Sequence, residues 1–395
     1  MNQQAVAESI EELQITNVEA DDDGLKLSWS DNQSSYFHYV WLRDCCYCET
    51  CGDSYSSKRY VLPADIPLDV NPASTGLDQG NLKITWKHDG HISHYSAGWL
   101  SRYRYDAPAR ETRFHQPTLW HSNLTTRIPQ VGYQSAVSHE RHQLDLYRKL
   151  RDYGFVLVTG GPPEAGGIEK VAGLIGEMGE SAYTRIFDLS PSSAINTLGN
   201  THSPVPPHTD EAFRHNPPGI NVLGCVRPAK SGGESVLVDG FAIAAKLRDD
   251  NPQGFELLAR YGQAFNRIHP GELDQRSRQP MIRLDDRGEV VAVRIHTRAS
   301  APMDLPSQIV KPFYAAYHHL TRLMLDPNHQ VKFQLQAGES VMFDNQRVLH
   351  SRTEFSDPQR FLQICNVSRD GFHEKLRLLA AKHGYIGEAD MILEY

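Results

Sequence analysis

Hydrophobic and polar positions alternate along Leu25-Lys26-Leu27-Ser28-Trp29, the period-two pattern of a strand with one buried face. Ser35 to Leu42 reads as its partner, and Leu82-Lys83-Ile84-Thr85-Trp86 as a third strand. The third strand turns at Asp89-Gly90, a hairpin dipeptide, into His91 to Tyr95. Residues 101–133 are rich in Pro, Arg, His and Thr and carry little periodicity, so they read as a linker with a boundary near Pro129. Beyond it the period changes. Leu144, Leu146, Tyr147 and Leu150 predict a helix over 139–153, Gly154 to Val158 a buried strand, and residues 168–178 an amphipathic helix. Further strands are predicted at 219–226, 235–238, 290–295, 331–335, 340–343 and 361–367. Further helices are predicted at 241–248, 254–261, 308–325 and 372–383. Many strands of mixed spacing among helices predict a mainly β fold with flanking helices, a double-stranded β-helix or jelly roll, preceded by a small β domain. The expected division is a frayed tail over 1–20, a small domain over 21–105, a linker over 106–130 and a large domain over 131–395.

Composition narrows the classes. The chain has 395 residues, 39% hydrophobic and 22% charged, enough for a large core in an ordinary globular protein. A net charge of −8 argues against a general binder of nucleic acid or anionic membrane. No apolar run reaches the length of a membrane span, and Met1 to Ala20 is acidic and polar without the apolar core of a secretion signal, so a cytoplasmic protein is expected. Of six cysteines, four lie between Cys45 and Cys51, a crowding that suits metal thiolates in a reducing compartment better than a disulfide framework.

Two clusters of metal-binding side chains follow from spacing. Cys-x-Cys-x-x-Cys at Cys46, Cys48 and Cys51, with a histidine on a nearby strand, makes a closed Cys3His zinc set. His91 is the assigned fourth ligand; Cys45 could replace one thiolate, and His88 or His94 could replace His91. Such a zinc is structural, because four protein ligands leave no open position. The second cluster begins at Pro206-Pro207-His208-Thr209-Asp210, where the prolines hold the approach extended and residues i and i+2 face the same way. His350 follows the β-patterned run 339–343 and can return across a sheet. One carboxylate and two histidines form the facial triad of non-haem Fe(II) oxygenases, which leaves positions open for a cosubstrate and O2. Ten residues on, Arg360 opens a strand, where a guanidinium could clamp the distal carboxylate of 2-oxoglutarate.

At this point the chain resembles a known family. Trp41-Leu42-Arg43-Asp44 with the Cys46/Cys48/Cys51 cluster and His91 resembles the N-terminal zinc domain of the γ-butyrobetaine and trimethyllysine dioxygenases. Pro207 to Asp210, Asn216 to Gly219, Ser231 to Ser235, Val238 to Phe241, Lys311 to Tyr314 and Phe343 to Asn345 with His350 resemble their catalytic domain. The resemblance implies a jelly-roll dioxygenase using Fe(II), 2-oxoglutarate, O2 and a structural zinc, commonly as a homodimer, with ascorbate as a reductant. It implies His208, Asp210 and His350 as iron ligands and Arg360 as the grip on 2-oxoglutarate, with the Ser235 hydroxyl near the same carboxylate.

The departures from that family concern the substrate. The family's aromatic cage for a trimethylammonium group, a cation–π device, corresponds here to Tyr183, Phe187, Asn200 and Asn366, with Glu211 directly after Asp210. The cage is thus partly polar and carries a negative charge. The stretch that receives the carboxylate is Arg294-Ile295-His296-Thr297-Arg298, and on a strand Arg294, His296 and Arg298 would share one basic face suited to a dianion. Together these point to a small trimethylammonium acid as substrate, 2-(trimethylammonio)ethylphosphonate in phosphonate catabolism. γ-Butyrobetaine hydroxylation is the second reading. A non-catalytic jelly-roll metal sensor is a third, against which Arg360 counts.

Overall fold

The structure is a computed structural model, and it describes residues 13–53, 56, 58–193 and 197–391. The chain forms two compact units, Met1–Phe114 and His115–Tyr395.

The first unit packs two antiparallel three-stranded sheets around one core. Ile15–Ala20, Gly24–Trp29 and Ser34–His38 form one sheet, and Pro72–Asp78, Asn81–Trp86 and Ile92–Tyr95 the other. The alternation read from the sequence is the alternation of burial: Leu25, Leu27 and Trp29, then Leu82, Ile84 and Trp86, all face the core. Each buried indole still finds an acceptor, Trp29 on the Ser35 hydroxyl at 3.1 Å and Trp86 on the Ser93 hydroxyl at 2.8 Å. Gln79 and Gly80 both take positive φ, at 49° and 78°, which is the two-residue turn that joins strands of right-handed twist. The expected tail is shorter than residue 20, because Ile15–Ala20 pairs with Gly24–Trp29; residues 1–12 lie outside the described residues.

The expected linker is also partly ordered. Asp106 caps the helix Ala107–Glu111 by accepting from the Ala109 amide, and its other oxygen accepts from Ser35. Further on come the helical turn Ser122–Arg127 and the strand Gln130–Gly132.

In the second unit two sheets face each other. The larger runs in the order Phe187–Leu189, Phe361–Val367, Ile220–Arg227, Ser340–Asp344, Phe155–Thr159 and Gln130–Gly132. The smaller runs Val205–His208, Val348–Arg352, Ser235–Asp239 and Gln330–Phe333. All pairings are antiparallel except the one between Gln130–Gly132 and Phe155–Thr159. Phe155, Leu157, Leu223, Val341, Phe343 and Leu362 from one sheet meet Leu237, Val331 and Val348 from the other. Successive residues go to opposite faces, so Val156, Val222, Met342 and Val367 leave the larger sheet on its far side, where helices Glu140–Tyr153 and Arg369–Lys382 cover them. Val238 and Leu349 do the same on the smaller sheet beneath helices Gly240–Asp250, Pro252–Arg260 and Ser307–Leu325. This is the double-stranded β-helix with flanking helices.

Two local expectations are corrected, and one element was not expected at all. The helix expected over 168–178 ends at Ala172. Gly173 and Gly176 weaken its continuation, and a β-carbon at Gly176 would sit 2.5 Å from Val367. The strand expected over 290–295 ends at Val293, because Ile295 exchanges hydrogen bonds with Thr209 instead. An unexpected hairpin, Gly262–His269 with Leu273–Pro280, pairs along its whole length. Its polar composition hid it: one face is buried at Gln263 and Phe265, while arginines alternate through its partner strand.

Candidate metal centres and active site

His208 ends one strand of the smaller sheet, and His350 lies directly opposite it on the neighbouring strand. Cross-strand pairing therefore closes the 142-residue separation between them, and their rings lie 4.2 Å apart. The run 339–343 did not carry His350 within one sheet: Ser340–Asp344 belongs to the larger sheet and Val348–Arg352 to the smaller. Asp210 follows the strand end. Its Oδ1 is 3.3 Å from His208 Nε2 and its Oδ2 is 3.6 Å from His350 Nε2.

Several residues aim this carboxylate. The Asn221 amide donates to Asp210 Oδ2 at 2.9 Å. Asn345 brackets the Asp210 peptide, accepting from its N–H at 2.6 Å and donating to its carbonyl at 3.1 Å. The loop that carries Asn345 is pinned at both ends, by Arg369 on Asp344 at 2.8 Å and by Arg347 on Asp239 at 2.9 Å, the latter pair almost wholly buried.

The three side chains fit a divalent cation. One ligand atom from each lies within 4.8 Å of the others. His208 Nδ1 donates to the Pro206 carbonyl at 2.9 Å, which leaves the Nε2 lone pair facing Asp210. Burial pushes His350 down to about 4, so it is a neutral imidazole with a lone pair near pH 7. Burial pushes Asp210 up, and the two imidazoles beside it more than offset that, holding it below the usual carboxylate range.

The triad opens on a cavity of about 500 Å3, large enough for two small molecules. Arg360 lines it, 3% exposed, with its guanidinium 4.9 Å from the Phe355 ring. Burial lowers it to about 10. Among the described residues no carboxylate lies within ion-pair distance of it, which leaves a buried positive charge for an anion to satisfy. Ser235 also lines the cavity.

The expected substrate residues divide. Tyr183, Phe187, Glu211, His296, Arg298 and Asn366 line the cavity. Tyr183 and Phe187 pack ring to ring at 5.4 Å. Asn200 does not line it; its side chain is buried and accepts from the Ser190 amide at 3.1 Å. Arg294 does not line it either. Because the strand stops at Val293, no three-residue basic face forms, and Arg294 donates to the carbonyls of Ala212, Arg214 and His215. Glu211 takes a left-handed φ of 49°, and its carboxylate accepts from the Ala182 amide at 2.8 Å and from Arg214 at 2.7 Å. Its charge is thus already paired. Sequence reading missed Asn221, whose signal is only its place in an apolar strand, and Arg267, which lines the cavity from the unrecognised hairpin.

In the first unit, Cys46, Cys48, Cys51 and His91 converge. His91 Nε2 is 3.4, 3.5 and 3.4 Å from the three sulfurs. A tetrahedral zinc with ordinary Zn–S and Zn–N bonds sets that edge at about 3.5 Å, so the donor set fits zinc. Arg43 donates to Cys51 Sγ and pairs with Asp89, placing positive charge beside the thiolates. Burial pushes the Cys48 thiol up, but hydrogen bonds from Thr50 and the Cys51 amide more than offset it and bring it down to about 7. Cys45 stands outside the cluster, and burial pushes its thiol up to about 11. His88 faces Asp89 at 3.2 Å.

This fold, an open two-histidine one-carboxylate site and a buried arginine behind it define an iron- and 2-oxoglutarate-dependent dioxygenase. Residues 125–366 match the model of the taurine catabolism dioxygenase TauD, TfdA family, and the chain belongs to that family. Residues 16–101 match the model described as gamma-butyrobetaine hydroxylase-like, N-terminal. Among characterised relatives, the chain is 32% identical to a gamma-butyrobetaine dioxygenase of a Pseudomonas species over 90% of this chain and 94% of that one. It is 30% identical to the human gamma-butyrobetaine dioxygenase, with the same coverage. It is 28% identical to a trimethyllysine dioxygenase of Meyerozyma guilliermondii, over 92% of this chain and 96% of that one. Among the described residues no helix is long and apolar enough to cross a membrane.

Proposed function

We propose that the enzyme hydroxylates an unactivated C–H bond of a small trimethylammonium acid, with 2-(trimethylammonio)ethylphosphonate as the first candidate. His208, Asp210 and His350 hold the iron, Arg360 with Ser235 holds the distal carboxylate of 2-oxoglutarate, and Cys46, Cys48, Cys51 and His91 hold a structural zinc. Bound iron and 2-oxoglutarate supply the oxidising chemistry, in which O2 and the keto acid are consumed, CO2 leaves, one oxygen atom ends in succinate and the other in the new hydroxyl. The chain's own residues orient and select. Asn221 holds the Asp210 carboxylate and Asn345 its peptide, and Arg360 sets the keto acid's reach.

The observation that carries the substrate reading is the charge of the cavity. Its lining carboxylates are Asp210, which faces the metal position, and Glu211, which is paired with Arg214. Arg298 lines the same cavity, and among the described residues no carboxylate lies within ion-pair distance of it. An acid end of more than one charge suits that surplus. The relatives supply the trimethylammonium half of the reading, and the second reading is gamma-butyrobetaine itself.

The test is a panel of small trimethylammonium acids with Fe(II), 2-oxoglutarate and ascorbate, read by succinate formed per molecule hydroxylated. Coupled turnover is expected with the phosphonate. Coupling to gamma-butyrobetaine and not to the phosphonate would replace this reading with the second.

A further inference from the structure

Arg267 was invisible in the sequence and belongs neither to the metal-ligand set nor to the pair assigned to the keto acid. It stands on the strand Gly262–His269, two and four residues from the buried Phe265 and Gln263 and so on their face. That face turns inward: Phe265 packs with Ala212, Phe213 and Ala299, next to the metal-ligand loop and to Arg298. The guanidinium of Arg267 stands over the ring of Tyr183, 6.0 Å from its centre. Its Nε is buried without a hydrogen-bond partner, and among the described residues no carboxylate lies within ion-pair distance. Arg298 reaches the same corner, where Arg267, Tyr183 and Asp210 act on it electrostatically.

We infer that Arg267 and Arg298 together form a dianion subsite against Tyr183, and that Arg267 occupies the face of Tyr183 that a substrate cation would otherwise use. Two guanidinium groups on one cavity wall, brought together by the antiparallel bridge between Phe265 and Ser300 and neither within ion-pair distance of a carboxylate among the described residues, repel each other, and a compact group with two negative charges relieves both at once. A monocarboxylate relieves them incompletely. A quaternary ammonium brought to the same ring meets a guanidinium already there, and of the two carboxylates on the cavity wall Glu211 is committed to Arg214 and Asp210 faces the two histidines. Specificity therefore resides in the anionic end. The substrate class widens to small alkyl acids ending in a phosphonate or another compact dianion, with or without a quaternary ammonium. This rests on the reading of the cavity as the acid-binding site of an oxygenase.

The experiment is anaerobic calorimetry on the full chain loaded with Fe(II) and 2-oxoglutarate, using propylphosphonate, butyrate and gamma-butyrobetaine as probes. Propylphosphonate is expected to bind at least tenfold tighter than butyrate. Arg267→Met is expected to abolish that ratio and to tighten gamma-butyrobetaine severalfold by uncovering Tyr183. Arg267→Lys, which keeps one charge, is expected to retain part of the ratio. The weak visible band of the Fe(II)–2-oxoglutarate complex, expected in the wild type and both variants, reports on the site independently. With the band present, an unchanged phosphonate-to-butyrate ratio in Arg267→Met, or a wild type that prefers gamma-butyrobetaine, overturns the dianion subsite alone. Absence of the band in the wild type overturns the oxygenase reading and the subsite with it.

Discussion

The chain carries two clusters of metal-binding side chains, built to opposite ends. In the first unit three sulfurs lie at nearly equal distances from one imidazole nitrogen, and all four donors lie within 4.8 Å of one another. In the second, two imidazoles and a carboxylate stand on one side of a point whose other side is the cavity. A closed shell can stabilise its surroundings and exclude ligands; an open one invites them. The supporting residues follow the same division. Arg43 beside Cys51 offsets the charge of thiolates packed together. Asn221 and Asn345 do not offset charge; they aim Asp210. Donor number and second-layer chemistry together separate a structural centre from a reactive one.

The sharpest break in that comparison is expected from the ligands themselves. Asp210→Ala should remove the visible band of the Fe(II)–2-oxoglutarate complex and lower substrate-coupled succinate formation by about a thousandfold or more, while bound zinc, measured by elemental analysis, stays unchanged. Equal loss of both metals would mean the two centres are not independent. Cys51→Ser is the converse. Zinc content should fall and the unfolding midpoint should drop by about 10 °C or more, because the metal contributes folding free energy to a small unit. Retention of zinc at full affinity would place Cys45 in the site after all.

Arg360→Ala should raise the KM for 2-oxoglutarate by about 10- to 100-fold, the worth of charge-assisted hydrogen bonds to one carboxylate, with kcat at saturating keto acid reduced less. A KM that does not move would remove Arg360 from cosubstrate binding. Asn345→Ala should weaken iron affinity by about tenfold, within the range for groups that orient a ligand without touching the metal. Loss of kcat with unaltered iron affinity would give Asn345 a different role.

The smallest effect expected is on acid stability. Burial depresses His373 to about 3 and His115 to about 4. The unfolded chain binds these protons near pH 6.5 and the folded chain does not. The stability they contribute is therefore fully present above pH 6.5 and is lost as pH falls toward 3 to 4. His373→Gln should flatten the midpoint-versus-pH curve between pH 6.5 and 4 by a few degrees. A curve of unchanged slope would place its protonation outside the folding equilibrium.

Legibility in the sequence tracked how local each signal was. The alternation at Leu25 to Trp29 and Leu82 to Trp86 declared two strands because each has one dry face, and burial follows it residue by residue. The strand Phe361–Val367 was also read at its observed limits, although it is buried on both faces and shows no such alternation. The hairpin 262–280 was not read, since its pairing depends on a register between polar strands that no local pattern records. Arg294 illustrates the same limit. Its neighbours placed it on a strand with His296 and Arg298, but Thr209, far away in sequence, takes the Ile295 hydrogen bonds and ends that strand early.

By itself the sequence determined the donor chemistry: which side chains can bind metal, that three thiols and a histidine make a closed set, and that two histidines, an aspartate and a distant arginine make an open one. Those are properties of residue types, with short spacings linking Cys46, Cys48 and Cys51 and linking His208 to Asp210. Only the tertiary structure decided what each charged group faces. It set His208 opposite His350 by pairing two strands, tied Glu211 to Arg214, turned Arg294 onto backbone carbonyls and brought Arg267 over Tyr183. Electrostatic partners act across space over a few ångströms, and that distance is fixed by folding rather than by position along the chain.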